Sequence, residues 1–313
     1  MSAIPAPRGL LTLSTLERER LDALTARSCE YYRGRLDAHR PLDGRVLGVL
    51  FLKTSTRTRT AFTVGTVRLG GVPVQYGPDD LQLNTGESLA DTARVFGSML
   101  DGLVARTAGP LAELEEFARA GAIPVVNAMA TEEHPTQGVC DLATLRLEFG
   151  EVRGLTVLYL GEGNNSAAAL AHGLALMPGC EAVFATPPGY GLDPLTLERA
   201  AKTAAASGGS VREVHDLDQL PDHVDVVYTT RWQTTGTRKA DASWKEVFRP
   251  FYVDEALLAR WPEAKFMHDL PAHRGEEVSG AVLDGPRSLA WSQARMKLYS
   301  AMAVLEWVFG DGI

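Results

Sequence analysis

VLGVLFLKTSTRTRT, Val46 to Thr60, is the stretch from which the rest of the chain can be read. Its first seven residues are apolar apart from one glycine. Unbroken runs of this kind, rich in Val and Leu, mark a strand buried on both faces. The run then meets a cluster of hydroxyl and guanidinium groups, and a helical pattern follows. Strand, polar turn and helix together make the unit of a parallel sheet, whose ligands gather beyond the carboxyl ends of the strands. Ser55 is expected to cap the helix. The N–H groups of the first turn, with the helix dipole, favour an anion, and Arg57 can add a bidentate contact to phosphate. A capped helix with a solvated basic face is the plainer alternative.

The same alternation continues outward. Candidate strands are Val46–Leu52, Val72–Tyr76, Gly102–Thr107, Ile123–Met129, Leu155–Leu160, Ala182–Thr186, Val211–His215, Val224–Thr230 and Phe266–Leu270. Candidate helices include Ser88–Leu100, Leu111–Ala120, Pro135–Phe149, Asn165–Leu176, Pro194–Ser207 and Ser292–Val308. The pattern predicts an α/β fold of two doubly wound, Rossmann-like parallel-sheet domains joined by helices. A long helical pattern lies near the midpoint, and a fresh strand-helix series starts at Leu155. The expected first domain is 1–142, completed by a C-terminal helix at about 291–313; the expected second is 143–290. A length of 313 residues fits two domains of roughly 150.

Composition excludes several classes. Lys plus Arg is 31 and Asp plus Glu is 39, a net charge of −8. A nucleic-acid coat needs a basic face, so no nucleic-acid partner is expected. Hydrophobic residues at 45% and charged ones at 22% are those of a globular protein with a core, not of a disordered chain. Three cysteines, Cys29, Cys140 and Cys180, form no close pair, which argues against a disulfide scaffold or a structural zinc. Met1 to Leu21 lacks a basic segment followed by an apolar core, and Val46–Leu52 is too short to cross a bilayer. A cytoplasmic protein without a membrane partner is expected.

Polar groups follow other strands too. Arg106 ends one. His134-Pro-Thr-Gln137 opens a helix, with Pro135 suited to its first position. His134 and Gln137, three apart, fall on neighbouring helix positions, and either could donate to a carbonyl oxygen. Leu160-Gly-Glu-Gly-Asn-Asn-Ser166 invites a dinucleotide-turn reading. Gly161 and Gly163 fit, but Ser166 stands where a third Gly or Ala belongs, and Ala185-Thr-Pro-Pro188 lacks the acidic residue for a ribose. Asn164 and Asn165 could instead hold a small polar ligand. Thr229-Thr-Arg-Trp-Gln-Thr-Thr-Gly236 and Met267-His-Asp-Leu-Pro-Ala-His-Arg-Gly-Glu-Glu277 are charged loops after two further strands. Singly, each segment fits a structural cap or surface loop as well as a site.

In this order, the segments resemble the aspartate and ornithine carbamoyltransferase family, from about Leu10 to Leu305. Ser55-Thr56-Arg57-Thr58-Arg59 is similar to the family's carbamoyl phosphate signature, and Arg106-Thr107 and His134-Pro135-Thr136-Gln137 to two further signatures. Leu81-Gln-Leu83, Gly86-Glu-Ser-Leu-Ala-Asp-Thr-Ala-Arg94 and Phe266–Val278 add to the likeness, the last two on the ornithine side. The resemblance implies a homotrimer with active sites between subunits. It implies that Ser55, Thr56, Arg57, Thr58, Arg106, His134 and Gln137 bind carbamoyl phosphate. Gln82, from a loop that reaches the neighbouring subunit in the family, and Arg295, at the start of the last helix, join them. In that loop Asn84 and Thr85 replace the Gly and the Lys or Arg of many bacterial members. Arg106, His134 and Thr58 would point donors at the carbamoyl oxygen, which gains negative charge as a neutral amine attacks. No metal or organic cofactor is needed for this step.

The acceptor-binding set, by the same resemblance, is Asn164, Asn165, Thr230, Arg231, Gln233, Thr234, Thr235, Asp269 and Leu270, and it mixes two branches. Ornithine enzymes usually carry His-Cys-Leu-Pro, where this chain has His268-Asp269-Leu270-Pro271. They also place an Asp where Thr230 stands. Thr230-Arg231-Trp232-Gln233 resembles the aspartate branch, whereas Glu162-Gly-Asn-Asn165 is of the ornithine style. The expectation is carbamoyl transfer from carbamoyl phosphate to the amino group of an amino acid or related amine other than plain ornithine, giving a ureido product and phosphate. Asp269 would pair with a cationic group or help take a proton, and Arg231 would pair with an anionic one. The alternatives are an ordinary ornithine carbamoyltransferase making citrulline, a non-catalytic ligand-binding member of the family, and a Rossmann-type oxidoreductase.

Overall fold

Strands covered on both faces are apolar, and most of the predicted runs become such strands: Gly102–Arg106, Thr156–Leu160 and Val226–Thr229 are buried throughout, whereas Val72–Tyr76 at a sheet edge is not. The computed structural model describes residues 9–35, 38–233, 239 and 243–310. The chain divides into two compact units: Met1–Leu13, Asp22–Ala143 and Met296–Ile313 form the first, and Ser14–Leu21 and Thr144–Arg295 the second. Against the expected limits, Ser14–Leu21 groups with the second unit, and the last helix changes unit after Arg295.

From the start, the chain forms α1 (Arg18–Tyr32), β1 (Val46–Phe51), α2 (Arg57–Arg68), β2 (Val72–Tyr76), α3 (Leu89–Met99), β3 (Gly102–Arg106), α4 (Leu111–Gly121), β4 (Val125–Asn127) and α5 (Pro135–Phe149). The first sheet has the order β2-β1-β3-β4, every pair parallel. Leu10 adds a parallel bridge to Val126. Leu50, Phe96, Leu103, Leu114, Phe117 and Val125 are among its core. Helices α3 and α4 approach so closely that a Cβ on Gly97 would lie 1.9 Å from the Gly121 carbonyl oxygen. The chain leaves β1 for β2 on one side and returns to β3 on the other. The crevice at such a reversal, beyond the carboxyl ends of β1 and β3, is where an open α/β sheet binds ligands. Phe51 pairs with Arg106 at that edge.

The second series is β5 (Thr156–Leu160), α6 (Asn165–Leu176), β6 (Glu181–Ala185), α7 (Pro194–Ala206), β7 (Ser210–Val214), β8 (Val226–Thr229), α8 (Trp244–Phe248), α9 (Glu255–Leu258), β9 (Lys265–His268), α10 (Gly280–Leu283) and α11 (Ala290–Phe309). Its sheet is parallel with the order β7-β6-β5-β8-β9. Leu158, Val183, Val227, Phe251 and Phe266 are among its core. Here the order reverses between β5 and β8. The register sets Leu160 beside Thr229 and Thr229 beside His268, so the loops after β5, β8 and β9 share one edge. Both sheets are therefore doubly wound, as the alternation predicted. Among the described residues no helix is long and apolar enough to cross a membrane.

Candidate active site

At the first edge, α2 begins at Arg57, not after a Ser55 cap. Thr56 takes the cap position with helical φ −78° and ψ −58°, and no side-chain hydrogen bond caps the helix. A capping side chain needs an extended backbone at that position, and Thr56 is already helical. Thr58 is buried; Ser55 and Arg57 are half-buried and Thr56 is exposed. Arg106, at the end of β3, is 7% exposed, and its Nε has no hydrogen-bond partner among the described residues. Burial and the neighbouring Arg57 lower its pKa to about 10. Two neighbouring guanidinium groups, one of them buried, are relieved by an anion.

The His134 ring is buried, its Nδ1 3.3 Å from Thr136 Oγ1. Burial first, then Lys297 and Arg106, hold it well below the ordinary imidazole range, so it is neutral at physiological pH. Gln137, buried on the first turn of α5, donates from Nε2 to Asp141 Oδ1 at 2.7 Å and accepts from Lys297 Nζ at Oε1. Gln82 is exposed in the 3-10 turn Gln82–Thr85, where the Thr85 hydroxyl donates to its side-chain oxygen at 3.0 Å. The loop before His134 is braced from the N-terminal segment. Asn127 Nδ2 donates to the Leu11 carbonyl at 2.8 Å, while the Thr12 hydroxyl and the Leu13 N–H donate to the buried Glu133 carboxyl. Burial nevertheless pushes Glu133 up to about 7 against those two donors.

At the second edge, the Asn164 side-chain oxygen caps α6, accepting from Ser166 N at 3.0 Å and Ala167 N at 3.1 Å. Its amide N–H groups are the part that can meet a ligand. Asn165 is buried beside it. Gly163 serves packing: a Cβ there would lie 2.2 Å from Leu192 N, and its own N–H donates to the Tyr190 carbonyl at 2.8 Å. Thr230 donates its hydroxyl to Asp269 Oδ1 at 2.7 Å, a pairing that the β8–β9 register imposes. Arg231 has a buried Nε with no partner among the described residues. The Leu270 N–H donates to His268 Nδ1 at 2.8 Å, which puts a ring proton on Nε2, 3.4 Å from Glu277 Oε1. That buried pair sits under the loop in which Leu270 has φ +53° and the Leu270–Pro271 bond is cis. Lys239 pairs with Glu162 and lies 4.7 Å, 5.0 Å and 5.4 Å from the ring centres of Tyr190, Phe248 and Trp244. Gln233 is half-buried, and Arg295 is exposed on α11. Thr234 and Thr235 lie outside the described residues.

Among the described residues, His273, Glu276 and Glu277 bring three potential metal-ligand atoms within 4.8 Å of one another. Lys245 already pairs with Glu276 at 2.7 Å, and the His273 N–H donates to Glu277. Those contacts offset much of the charge that would attract a cation.

Two family models cover nearly the whole chain. The carbamoyl-P binding domain of aspartate/ornithine carbamoyltransferase matches residues 8–147, and the Asp/Orn binding domain matches 153–308. The chain belongs to the aspartate/ornithine carbamoyltransferase family. It is a carbamoyltransferase, and carbamoyl transfer from carbamoyl phosphate is its reaction. An ornithine carbamoyltransferase of Gloeobacter violaceus is 40% identical over 302 residues, 96% of this chain and 95% of its own. One of Symbiobacterium thermophilum is 43% identical over 266 residues, 85% of each. The solved structure of ornithine carbamoyltransferase from Pyrococcus furiosus matches with a TM-score of 0.91 and 36% identity, over 98% of both chains.

Within this carbamoyltransferase, Arg57, Arg106, His134 and Gln137 belong to the strand-end loops and first helix turns of one unit. Thr230, Arg231, Asp269 and Asn164 gather likewise at the edge of the other. Sequence reading passed over Lys297, Asp141, Glu133 and the His268–Glu277 pair. Asp141 was findable, because it stands four residues after Gln137 on one helix face. Lys297 carries no local signal: it comes from α11, 160 positions away from Gln137.

Proposed function

We propose that the enzyme passes the carbamoyl group to the amino group of an amino acid or related amine other than plain ornithine. Carbamoyl phosphate occupies the first unit and the acceptor the second. Arg57, Arg106 and the N-terminus of α2, with Ser55 and Thr56, offset the phosphate charge. Thr58, Arg106 and His134 donate to the carbamoyl oxygen, where negative charge grows during attack. His134 suits this as a neutral donor, since its Nδ1 already meets Thr136. The amine nitrogen forms a bond to the carbamoyl carbon, the bond from that carbon to the phosphate oxygen breaks, and the departing phosphate collects the amine proton.

The observation that carries the acceptor reading is the Thr230–Asp269 hydrogen bond. Ornithine enzymes usually hold a carboxylate at the position of Thr230 and a thiol at that of Asp269, so the negative charge has moved from one strand end to the next. Arg231, whose buried Nε has no partner among the described residues, supplies a cation on the same edge. An acceptor bearing both a cationic and an anionic group, such as a diamino acid other than ornithine, fits the two. A site built around one polar pattern rejects analogues that leave its buried groups unpaired. The names of the relatives favour a second reading, an ordinary ornithine carbamoyltransferase producing citrulline. Ureido-product formation across a panel of amines separates them: the proposal expects ornithine to be a poor substrate beside another amine, and ornithine as the best acceptor establishes the second reading.

A homotrimer in the cytoplasm, with Gln82 reaching the neighbouring subunit, belongs to the same proposal and rests on the family resemblance. Light scattering should then give three times 33.8 kDa.

A further inference from the structure

Lys297 is buried, 7% exposed, on α11. Its ammonium donates to Gln137 Oε1, and Gln137 Nε2 donates to Asp141 Oδ1 at 2.7 Å. Gln137 and Asp141 are likewise buried. An ammonium only donates, and an ionised carboxylate only accepts. The two ends therefore dictate which way the Gln137 amide points, oxygen to Lys297 and nitrogen to Asp141. A ligand then finds one N–H and one lone pair of that amide in fixed directions. Arg295, two residues earlier, cannot share this role, because side chains two apart on a helix face different ways; it is exposed where Lys297 is buried.

The second observation concerns His134. The charged groups acting on its ring are Lys297 from α11 and Arg106 from the end of β3, with Thr136 beside it on its own helix. Arg57 lies beyond Arg106, and Asp141 beyond Gln137. A nearby positive charge disfavours a second proton on the ring, adding to the larger effect of burial. Lys297 thus acts on two residues expected to touch the carbamoyl group, through a hydrogen bond to one and through charge on the other.

We propose that Lys297 is a positioning residue of the carbamoyl phosphate half-site, which sets the orientation of the Gln137 amide. This rests on the proposed binding of carbamoyl phosphate by Arg57, Arg106, His134 and Gln137.

The test uses the full chain and two readouts that need no acceptor. Isothermal titration with carbamoyl phosphate gives Kd, and the ring signals of labelled His134, followed with pH in ligand-free protein, give its protonation. Lys297→Met removes both the donor and the charge, and Lys297→Gln keeps a donor without the charge. We expect Lys297→Met to weaken binding by about 10- to 100-fold, the range for a lost charge-assisted hydrogen bond. We expect Lys297→Gln to recover part of the affinity. In both variants the His134 ring should protonate at higher pH than in the parent. Should Lys297→Met not fold, Lys297→Gln alone decides, through its affinity for carbamoyl phosphate. Affinity within twofold of the parent overturns the inference while leaving the half-site intact. A parent protein that does not bind carbamoyl phosphate overturns the underlying reading, and the inference with it.

Discussion

The two ligand edges are built alike and differ in what they keep. Each lies where the strand order reverses, beyond β1 and β3 in one unit and beyond β5 and β8 in the other. Each holds a guanidinium whose buried Nε has no partner among the described residues, Arg106 in the first and Arg231 in the second. The first edge is otherwise made of groups similar to the family's signatures. In the second, a carboxylate and a hydroxyl stand in positions where ornithine enzymes usually have a thiol and a carboxylate. The difference is chemical in origin. A phosphate-bearing donor presents the same charge and shape in every reaction of the family, so the donors that grip it have little freedom. The acceptor varies, and its recognition can change by exchanging two side chains on adjacent strands without disturbing either strand.

Matched substitutions at the two edges have the largest expected effect. Arg106→Lys keeps the charge but loses the planar fork. It should lower turnover by about 100-fold or more, as expected for loss of an oxyanion donor, and weaken carbamoyl phosphate binding. Arg231→Lys should raise the acceptor KM and leave carbamoyl phosphate affinity within about twofold. Equal effects of both changes on carbamoyl phosphate binding would erase the division between the edges.

A smaller effect is expected from Asp269→Cys. It should cost about 10- to 100-fold with the preferred amine, the range for a lost contact to a charged group, and raise the relative rate with ornithine. Acceptor preference that does not move, read as ratios of kcat/KM across the amine panel, would remove Asp269 from the specificity argument.

The smallest concerns how the first edge is braced. Burial holds the Glu133 carboxyl protonated up to about pH 7, above its ordinary value of 4.5. A raised carboxyl pKa favours the fold while the group is protonated in both states, and the benefit fades as pH rises from 4.5 to 7. At about 1.4 kcal/mol per pH unit the loss is about 3 kcal/mol at most. Urea unfolding of the parent and of Glu133→Gln across that range should therefore show the parent losing stability relative to the variant. Parallel curves would mean that Glu133 does not titrate there, and that its hydrogen bonds to Thr12 and Leu13 brace the His134 loop as an ordinary carboxylate.

Much of the frame was open to reading from composition patterns alone. The run Val46–Leu52 had to be a covered strand, and the observed β1 ends one residue earlier. Pro135 opened α5 as its fixed φ suggests. Other expectations failed at the level of single atoms. Ser55 does not cap α2: the helix starts at Arg57, and the residue at the cap position is Thr56, whose side chain makes no capping hydrogen bond. Gly161 and Gly163 imitate a nucleotide turn, yet their need for glycine is met by φ +133° at the first and by the chain at Leu192 pressed against the second.

The alternation of apolar runs and polar turns was sufficient to specify two parallel sheets and to mark Arg57, Arg106 and His134 as groups at strand ends, because burial and periodicity act over a few neighbouring residues. Strand order, the facing of Thr230 and Asp269, the arrival of Lys297 at Gln137 and the neutral state of the His134 ring belonged to the tertiary structure. Those features depend on distances between residues far apart in the chain and on the water excluded around them, and neither is encoded in any local stretch.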